Sequence, residues 1–170
     1  EWMRIVVMSD THGETDSIDQ VRHSVNTVDA VFHCGDSELD KQHESLQDAF
    51  VVGGNCDWDS SFPAEVFTEV NGVKVLMTHG HLWQVKSTMM PLSYRAQEVG
   101  ADVVLFGHSH LLGAELIDGI LFVNPGSLEL PRGRKEKSYA IIEKSPSEWV
   151  VTFFSNAHKV LEQKKFSINE

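Results

Sequence analysis

The sequence contains little of what marks several specialised protein classes. Two cysteines, Cys34 and Cys56, are too few for a disulfide-stabilised fold, so we expect reduced thiols. The chain has no apolar run of about 18 residues and no basic-then-apolar secretory signal, which predicts a cytoplasmic protein without a membrane segment. It also lacks repeats, low-complexity segments and an obvious linker, so we expect a single domain over residues 1–170.

Basic residues are also scarce. Fourteen Lys and Arg face 25 Asp and Glu, giving a net charge of -11 and a pI near 5.2. This balance disfavours the broad basic surface of a nucleic-acid-binding protein. Any anionic substrate must therefore be attracted locally. With 41% apolar and 23% charged residues, the composition is that of a packed globular protein.

The first third of the chain predicts strands alternating with helices. Short β-branched runs stopped by polar residues are typical of buried strands, and apolar residues at helical spacing (Ile18, Val21, Val25 and Val28) predict a helix. The predicted elements are a strand at 4–8, a helix at 15–25, a strand at 30–32, a helix at 39–49 with Leu46 and Ala49 inward, and a strand at 50–52. This βαβαβ order favours a parallel sheet.

The rest of the chain predicts mostly antiparallel strands. Asn71-Gly72 between residues 66–70 and 73–77 is a strong hairpin signal with a type I′ turn. We further expect a helix at 91–99 closed by Gly100, and strands at 102–106, 114–117, 120–123, 139–143 and 149–154. The tail from Lys159 fits either a helix or a strand.

Residues of metal-binding type follow one predicted strand after another. They are Asp10, His12, Asp36, Asn55, His79, His108 and His110. Glycines lie next to each of these strand ends, and we expect Gly53-Gly54 to let the chain turn sharply. Because the carboxyl ends of parallel strands meet at one sheet edge, these seven side chains are expected to converge.

The combined ligand types predict a metal centre, although any single member has a simpler interpretation. One Asp or Asn after a strand usually caps a helix or makes a turn. We interpret His23, His43 and His158 as surface residues and His33 as strand packing. Oxygen and imidazole ligands together suit Mn, Fe, Co, Ni or Zn. Seven are too many for one tetrahedral ion, whereas two ions roughly 3.5 to 4 Å apart, bridged by a carboxylate, would use them all.

These motifs resemble those of the calcineurin-like metallophosphoesterase superfamily, in particular its small YfcE-type bacterial and archaeal phosphodiesterases. The motifs are Asp10-X-His12, Gly35-Asp36, Gly54-Asn55-Cys56-Asp57, Thr78-His79-Gly80-His81 and Gly107-His108-Ser109-His110. The resemblance covers about residues 3–154 and includes the turn at 124–127. It implies an α/β fold, a four-layer α/β/β/α sandwich of two mixed β-sheets flanked by helices.

The resemblance also implies a ligand assignment and a reaction. One metal would be held by Asp10, His12, Asp36 and His110, and the other by Asp36, Asn55, His79 and His108. Two divalent ions against two aspartates leave roughly +2 for an arriving phosphate. The implied activity is hydrolysis of a small phosphoester by a hydroxide between the ions, with Mn expected first and Ni, Zn, Fe or Co as alternatives.

The acid that protonates the leaving group is left open. Many larger members of the superfamily carry His directly after the metal-binding Asn, where this chain has Cys56. A thiol with a pKa of about 8.5 is a poor match for that task. We therefore expect either a preference for good leaving groups or a second acid such as His81. Asp57 is expected to brace the loop.

Three alternatives stay open at this point. The same centre could serve a phosphomonoesterase, although the basic run Arg132, Arg134, Lys135 and Lys137 is interpreted as a solvated hairpin loop rather than a clamp for a dianion. A retromer-coat subunit resembles this fold and uses it as an interaction scaffold with incomplete ligands. Residues 82–90 are expected to pack in the core, with a cover over the cleft or a homo-oligomer contact as alternatives.

Overall fold

The computed structural model describes residues 2–25 and 27–168, which form strands arranged in two sheets. In chain order the elements are β1 (Met3–Met8), α1 (Asp16–Ser24), β2 (Ala30–His33), β3 (Phe50–Val51), β4 (Glu65–Val70), β5 (Val73–Thr78), α2 (Met90–Val99), β6 (Val103–Leu105), β7 (Gly113–Ile117), β8 (Ile120–Asn124), β9 (Ser138–Lys144), β10 (Glu148–Ser155) and β11 (Val160–Ser167). Two single 3₁₀ turns occur at Glu44–Leu46 and His81–Trp83.

Both sheets are mixed. The first has the strand order β11-β10-β9-β1-β2-β3, with β1, β2 and β3 parallel to one another. The second has the order β4-β5-β6-β8-β7, with β5, β6 and β8 parallel. The remaining pairs are antiparallel. Each sheet therefore contains one set of three parallel strands. The molecule has two groups of strand carboxyl ends as a result.

The layers are held together by three apolar clusters. Between the sheets lie buried side chains that include Val7, Phe32, Met77 and Leu105. On the outer face of the first sheet, Ile18 and Val21 of α1 pack against β1 and β9. On the outer face of the second sheet, Leu92 and Ala96 of α2 pack against β5, β6 and β8. The predicted four-layer α/β/β/α sandwich is therefore confirmed.

Several local predictions are confirmed by the backbone. Asn71 and Gly72 have φ of 49° and 81°, as a type I′ turn requires, and Val70 pairs with Val73. Gly100 closes α2 with φ of 74°. The tail from Lys159 is a strand. Among the described residues, no helix has the length and apolarity needed to span a bilayer.

The helix predicted at 39–49 is wrong. The segment contains only the 3₁₀ turn Glu44–Leu46, because side chains compete for its backbone N–H groups. The Asp40 carboxylate accepts from Gln42 N at 2.7 Å, and the Asp59 carboxylate accepts from Lys41 N at 2.8 Å. Leu46 is buried as expected, whereas Ala49 is only half-buried. The second crossover of the parallel set is thus mostly loop.

Candidate metal centre

The seven predicted residues lie in one cleft between the carboxyl ends of both parallel sets. Oxygen and nitrogen atoms from the two sheets approach closely: Asp36 Oδ2 is 3.2 Å and Asn55 Oδ1 is 3.1 Å from His79 Nε2. Asp10 Oδ1 is 3.3 Å from His110 Nε2. His12 Nε2 is 3.4 Å from His110 Nε2, and the His79 and His108 rings are 5.1 Å apart. The predicted convergence is confirmed.

Three of the histidines present Nε2 to this cleft. His79 Nδ1 lies 2.8 Å from the Cys34 carbonyl, and His110 Nδ1 lies 2.6 Å from the Leu130 carbonyl. His12 Nδ1 lies 2.6 Å from Glu38 Oε1. Because these oxygens only accept, each Nδ1 carries the proton and donates it. The Nε2 atoms therefore face one another and the carboxylates, where each can ligate a cation or, when protonated, donate to a carboxylate.

Asp10 has a buried side-chain oxygen that also lacks a hydrogen-bond partner among the described residues. Its side chain is fully buried, and Ser9 Oγ and His108 N donate to Oδ2 at 2.6 and 3.2 Å. The other oxygen, Oδ1, accepts no hydrogen bond from any described residue. A buried carboxylate oxygen without a donor is costly. The donor set and this orphaned atom fit a divalent metal ion.

The titration behaviour reflects the crowding of negative charge. Burial by itself would raise the pKa of Asp36, but its hydrogen bond to His79 and the charge of that ring hold the pKa well below its ordinary value. Burial would lower the pKa of His79, yet Asp36 and Asp10 outweigh it and the pKa is raised. The pKa of His110 is raised by its contact with Asp10. The ionised carboxylates thus favour protonated imidazoles at His79 and His110, which supply positive charge beside Asp36 and Asp10.

The backbone is strained where it presents these side chains. Five of the seven residues have φ in the left-handed region, which costs a non-glycine residue on the order of 1 kcal/mol. They are Asp10 (54°), His12 (45°), Asp36 (56°), His108 (69°) and His110 (61°). Such strain persists only where surrounding structure imposes it, and it concentrates at functional sites.

Two glycines allow the chain to approach the carboxylates. A Cβ on Gly54 would lie 2.1 Å from Asp36 Oδ1, and one on Gly107 would lie 2.2 Å from Ser9 Oγ and 2.7 Å from Asp10 Oδ2. Neither glycine has φ in the left-handed region. The expectation of a sharp turn at Gly54 therefore needs correction, since the glycine is required for close contact.

The chain resembles known proteins over most of its length. Residues 3–146 match the model of the calcineurin-like phosphoesterase superfamily domain. The probable metallophosphoesterase YsnB of Bacillus subtilis is 42% identical over 162 residues, 94% of this chain and 95% of that protein. This chain belongs to the calcineurin-like phosphoesterase superfamily.

Two further relatives of this chain extend the comparison. The crystal structure of a predicted phosphoesterase from Streptococcus pneumoniae TIGR4 has a TM-score of 0.94 and 40% identity, with 98% of both chains covered. A phosphodiesterase of Methanocaldococcus jannaschii is 29% identical over 144 residues, 73% of this chain and 83% of that protein. The fold and the family are thus the same as those expected from the motifs.

Asp57 braces the loop after β3, as expected. Its carboxylate accepts from Asp36 N at 2.9 Å, from Gly54 N at 2.7 Å and from Glu38 N at 2.7 Å. Charge-assisted hydrogen bonds of this kind are the strong ones in proteins. One side chain therefore ties the loop after β3 to the loop after β2.

The two candidate proton donors lie beside the seven predicted ligands. The His81 ring lies 5.4 Å from that of His79, and its buried Nδ1 has no partner among the described residues. Burial and the neighbouring His79 lower the pKa of His81. Cys56 is exposed and free, and burial of its sulfur together with the charge of Asp36 raises its pKa to about 11. The thiol therefore stays protonated at neutral pH.

Glu38 is the residue near the centre that sequence reasoning missed. It holds His12 through the 2.6 Å contact, and its own backbone has φ of 55°. The only signal in the sequence was an acidic residue two positions after Asp36. A carboxylate that orients a ligand histidine fixes its tautomer and raises its basicity.

The residues interpreted as structural are found in structural positions. His33 is buried, its Nδ1 accepting from Gly35 N and its Nε2 lying 3.0 Å from Thr11 Oγ1. His23 and His158 are exposed, and half-buried His43 accepts from Ser45 N. In the turn at 124–127, Asn124 Oδ1 accepts from Gly126 N, and the basic run at 132–137 is largely exposed. Residues 82–90 are mixed: Trp83 and Met89 pack on the core, whereas Leu82 and Met90 are exposed.

Proposed function

We propose that the chain is a cytoplasmic, single-domain phosphodiesterase that hydrolyses small phosphoesters at two divalent metal ions, with manganese as the first candidate. Asp10, His12, Asp36 and His110 would hold one ion, and Asp36, Asn55, His79 and His108 the other. Asp36 would bridge them. The proposal of diester rather than monoester hydrolysis is supported by the name of the phosphodiesterase relative.

The convergence of the histidine Nε2 lone pairs with two aspartates carries this proposal. Two ligand groups, Asp10-His12-His110 and Asp10-Asp36-His79, each have candidate ligand atoms within 4.8 Å of one another. The residue common to these two groups is Asp10 rather than the proposed bridge Asp36, and a third group of the same kind, His12-Asp36-Cys56, includes the thiol. Since the protein is acidic throughout, a phosphate is attracted only where these ligands collect cations.

The ions, when bound, supply a hydroxide nucleophile and neutralise the phosphoryl oxygens. The chain contributes position and charge. Asn55 offers an oxygen without adding negative charge, so the centre keeps its positive surplus. Glu38 and the carbonyl oxygens of Cys34 and Leu130 hold the imidazoles in the tautomer that ligation requires.

Protonation of the leaving group is the weakest part of this centre. A thiol has an ordinary pKa of about 8.5, so Cys56 is a weaker acid than an imidazolium for protonating a poor leaving group. His81 stands beside the cleft as the alternative donor. We therefore expect rates that depend steeply on the leaving group, measured with a series of phenyl diesters of graded phenol pKa. A flat dependence would contradict this expectation.

The direct test combines metal analysis with hydrolysis of bis(p-nitrophenyl) phosphate and p-nitrophenyl phosphate in added Mn²⁺. Hydrolysis of the diester alone or preferentially supports the proposal. Asp36→Ala should lose bound metal and turnover, while Asp19→Ala, a surface carboxylate of α1, should keep both. Normal metal content and activity in Asp36→Ala would refute the assignment. A monoester preference, or a loaded protein without any hydrolysis, would favour the phosphomonoesterase or the scaffold.

A further inference from the structure

Resting on the proposed function, we infer that a cavity beside the centre binds the ester group that stays on the phosphate, and that this group is uncharged and mainly apolar. The cavity measures about 330 Å³ and lies on the outer face of the second sheet. Its substrate class is thus phosphodiesters with an aryl or short alkyl arm.

The cavity adjoins the centre through one residue. Ser109 lies between His108 and His110 and lines the cavity, where its Oγ accepts from Asn124 Nδ2 at 2.9 Å. Leu111, the residue after His110, lines it as well and is about half exposed. His108 and His110 are therefore covalent neighbours of cavity-lining residues, and the proposal places the ester arm of a phosphate held by these histidines in the cavity.

The lining predicts what the arm is made of. Val85, Met89, Phe106 and Phe122 provide apolar surface, and Phe106 and Phe122 are nearly buried. Apolar concavities with a few polar groups are the usual form of small-molecule sites, which measure on the order of 300 to 1,000 Å³. This cavity is at the small end of that range, so it suits one ring or a short chain.

The charges of the cavity argue against a second phosphate. Lys164 lines it, but its Nζ lies 3.8 Å from Glu162 Oε1 and 3.5 Å from the Ala114 carbonyl, so its charge is already partnered. Glu115 also lines the cavity and adds a negative charge. An anionic arm would meet this carboxylate without a spare cation, whereas an uncharged arm would not.

Gly113 allows the cavity to be filled without disturbing the centre. It lines the cavity in β7, has no φ in the left-handed region, and a Cβ built there meets nothing within 4 Å. Gly113→Leu should therefore fold normally and occupy the space. Gly113→Ala adds only a methyl group, and Ala157→Leu places a leucine side chain at an exposed turn, so both serve as controls.

The experiment compares phenyl p-nitrophenyl phosphate with methyl p-nitrophenyl phosphate, which share a leaving group. In Gly113→Leu the phenyl-to-methyl ratio of kcat/KM should fall on the order of tenfold or more, because the ring loses its apolar contacts. The kcat/KM of the methyl substrate should fall less than that of the phenyl substrate, and both controls should keep the wild-type ratio. An unchanged ratio in folded Gly113→Leu overturns the assignment.

A binding measurement separates this inference from the proposed function. Phenol, an uncharged single ring, added to the metal-free protein should shift the amide resonances of Ser109 and Leu111, and Gly113→Leu should remove these shifts. Absence of shifts in the wild type overturns the cavity assignment. If the wild type hydrolyses neither diester, the proposed function fails, and these resonances alone decide whether the cavity takes the arm.

Discussion

Gly54→Ala should displace the Asp36 carboxylate without touching any ligand atom chemically. The new methyl carbon would lie 2.1 Å from Asp36 Oδ1, 2.8 Å from its Cγ and 2.8 Å from its backbone N. Normal nonbonded contacts are about 3.5 Å, so something must move by more than about 1 Å. Because a backbone atom is among those contacted, a change of side-chain rotamer alone does not relieve the overlap.

The structure allows the cost to be estimated. Overpacking of this kind typically costs about 1 to 3 kcal/mol. Moving the carboxylate also disrupts the 2.8 Å hydrogen bond that Oδ1 accepts from Cys56 N and the contact of Oδ2 with His79, and a hydrogen bond to a charged group is worth about 1.5 to 3 kcal/mol. We expect a loss of about 3 kcal/mol in the free energy of unfolding.

The assay is urea denaturation of the metal-free protein, in which such a loss lowers the midpoint by about 1 to 2 M. Titration calorimetry with Mn²⁺ should then show an affinity at least about tenfold weaker. Gly113→Ala is the matched control, since its methyl group enters open space and should be neutral or slightly stabilising. Equal midpoints and equal Mn²⁺ affinity in the two variants would refute the close contact at Asp36.

Two further predictions concern histidines. Burial lowers the pKa of His33 to about 4 from an ordinary 6.5, so the unfolded state takes up the proton first as the pH falls. The contribution of His33 to the stability of the metal-free protein should be complete above about pH 6.5 and should fall by up to about 3 kcal/mol towards pH 4. Urea midpoints should show a shallower pH dependence in His33→Asn, which still accepts from Gly35 N; an identical dependence would contradict the cause. Glu38→Ala should weaken Mn²⁺ binding by about 10- to 100-fold by releasing His12, whereas exposed Glu44→Ala should not; calorimetry decides, and equal affinities would exclude this role.

Sequence patterns predicted the elements whose cause is local. The Asn71-Gly72 turn needs only two residues that tolerate positive φ, and α2 needs only apolar spacing and a closing Gly100. The helix at 39–49 failed for a nonlocal reason. The Asp59 carboxylate accepts a hydrogen bond from the N–H of Lys41, 18 residues earlier in the sequence, in what would have been the first helical turn. The spacing of residues within the segment carries no information about that partner.

The residues of the candidate centre also fall into two groups, those that local sequence predicted and those that it did not. All seven proposed ligands follow strands, so strand prediction alone located them. Their supports did not follow from residue type: Glu38 reaches His12 across 26 residues, and the oxygens of Cys34 and Leu130 belong to the backbone. Gly54 was recognised as significant but for the wrong reason, because the Asp36 oxygen that excludes a side chain is 18 residues away in sequence.

The cleft takes Asp10, His12, Asp36 and Asn55 from loops of one sheet and His79, His108 and His110 from loops of the other. The separation of the ligands is therefore set by how the two sheets rest on each other, through core side chains such as Met77 and Leu105. A methylene gained or lost in that core would change the width of the centre without altering any ligand. Substitutions in the hydrophobic interior, far from any residue that a metal would touch, can consequently change the preference among ions of different radius.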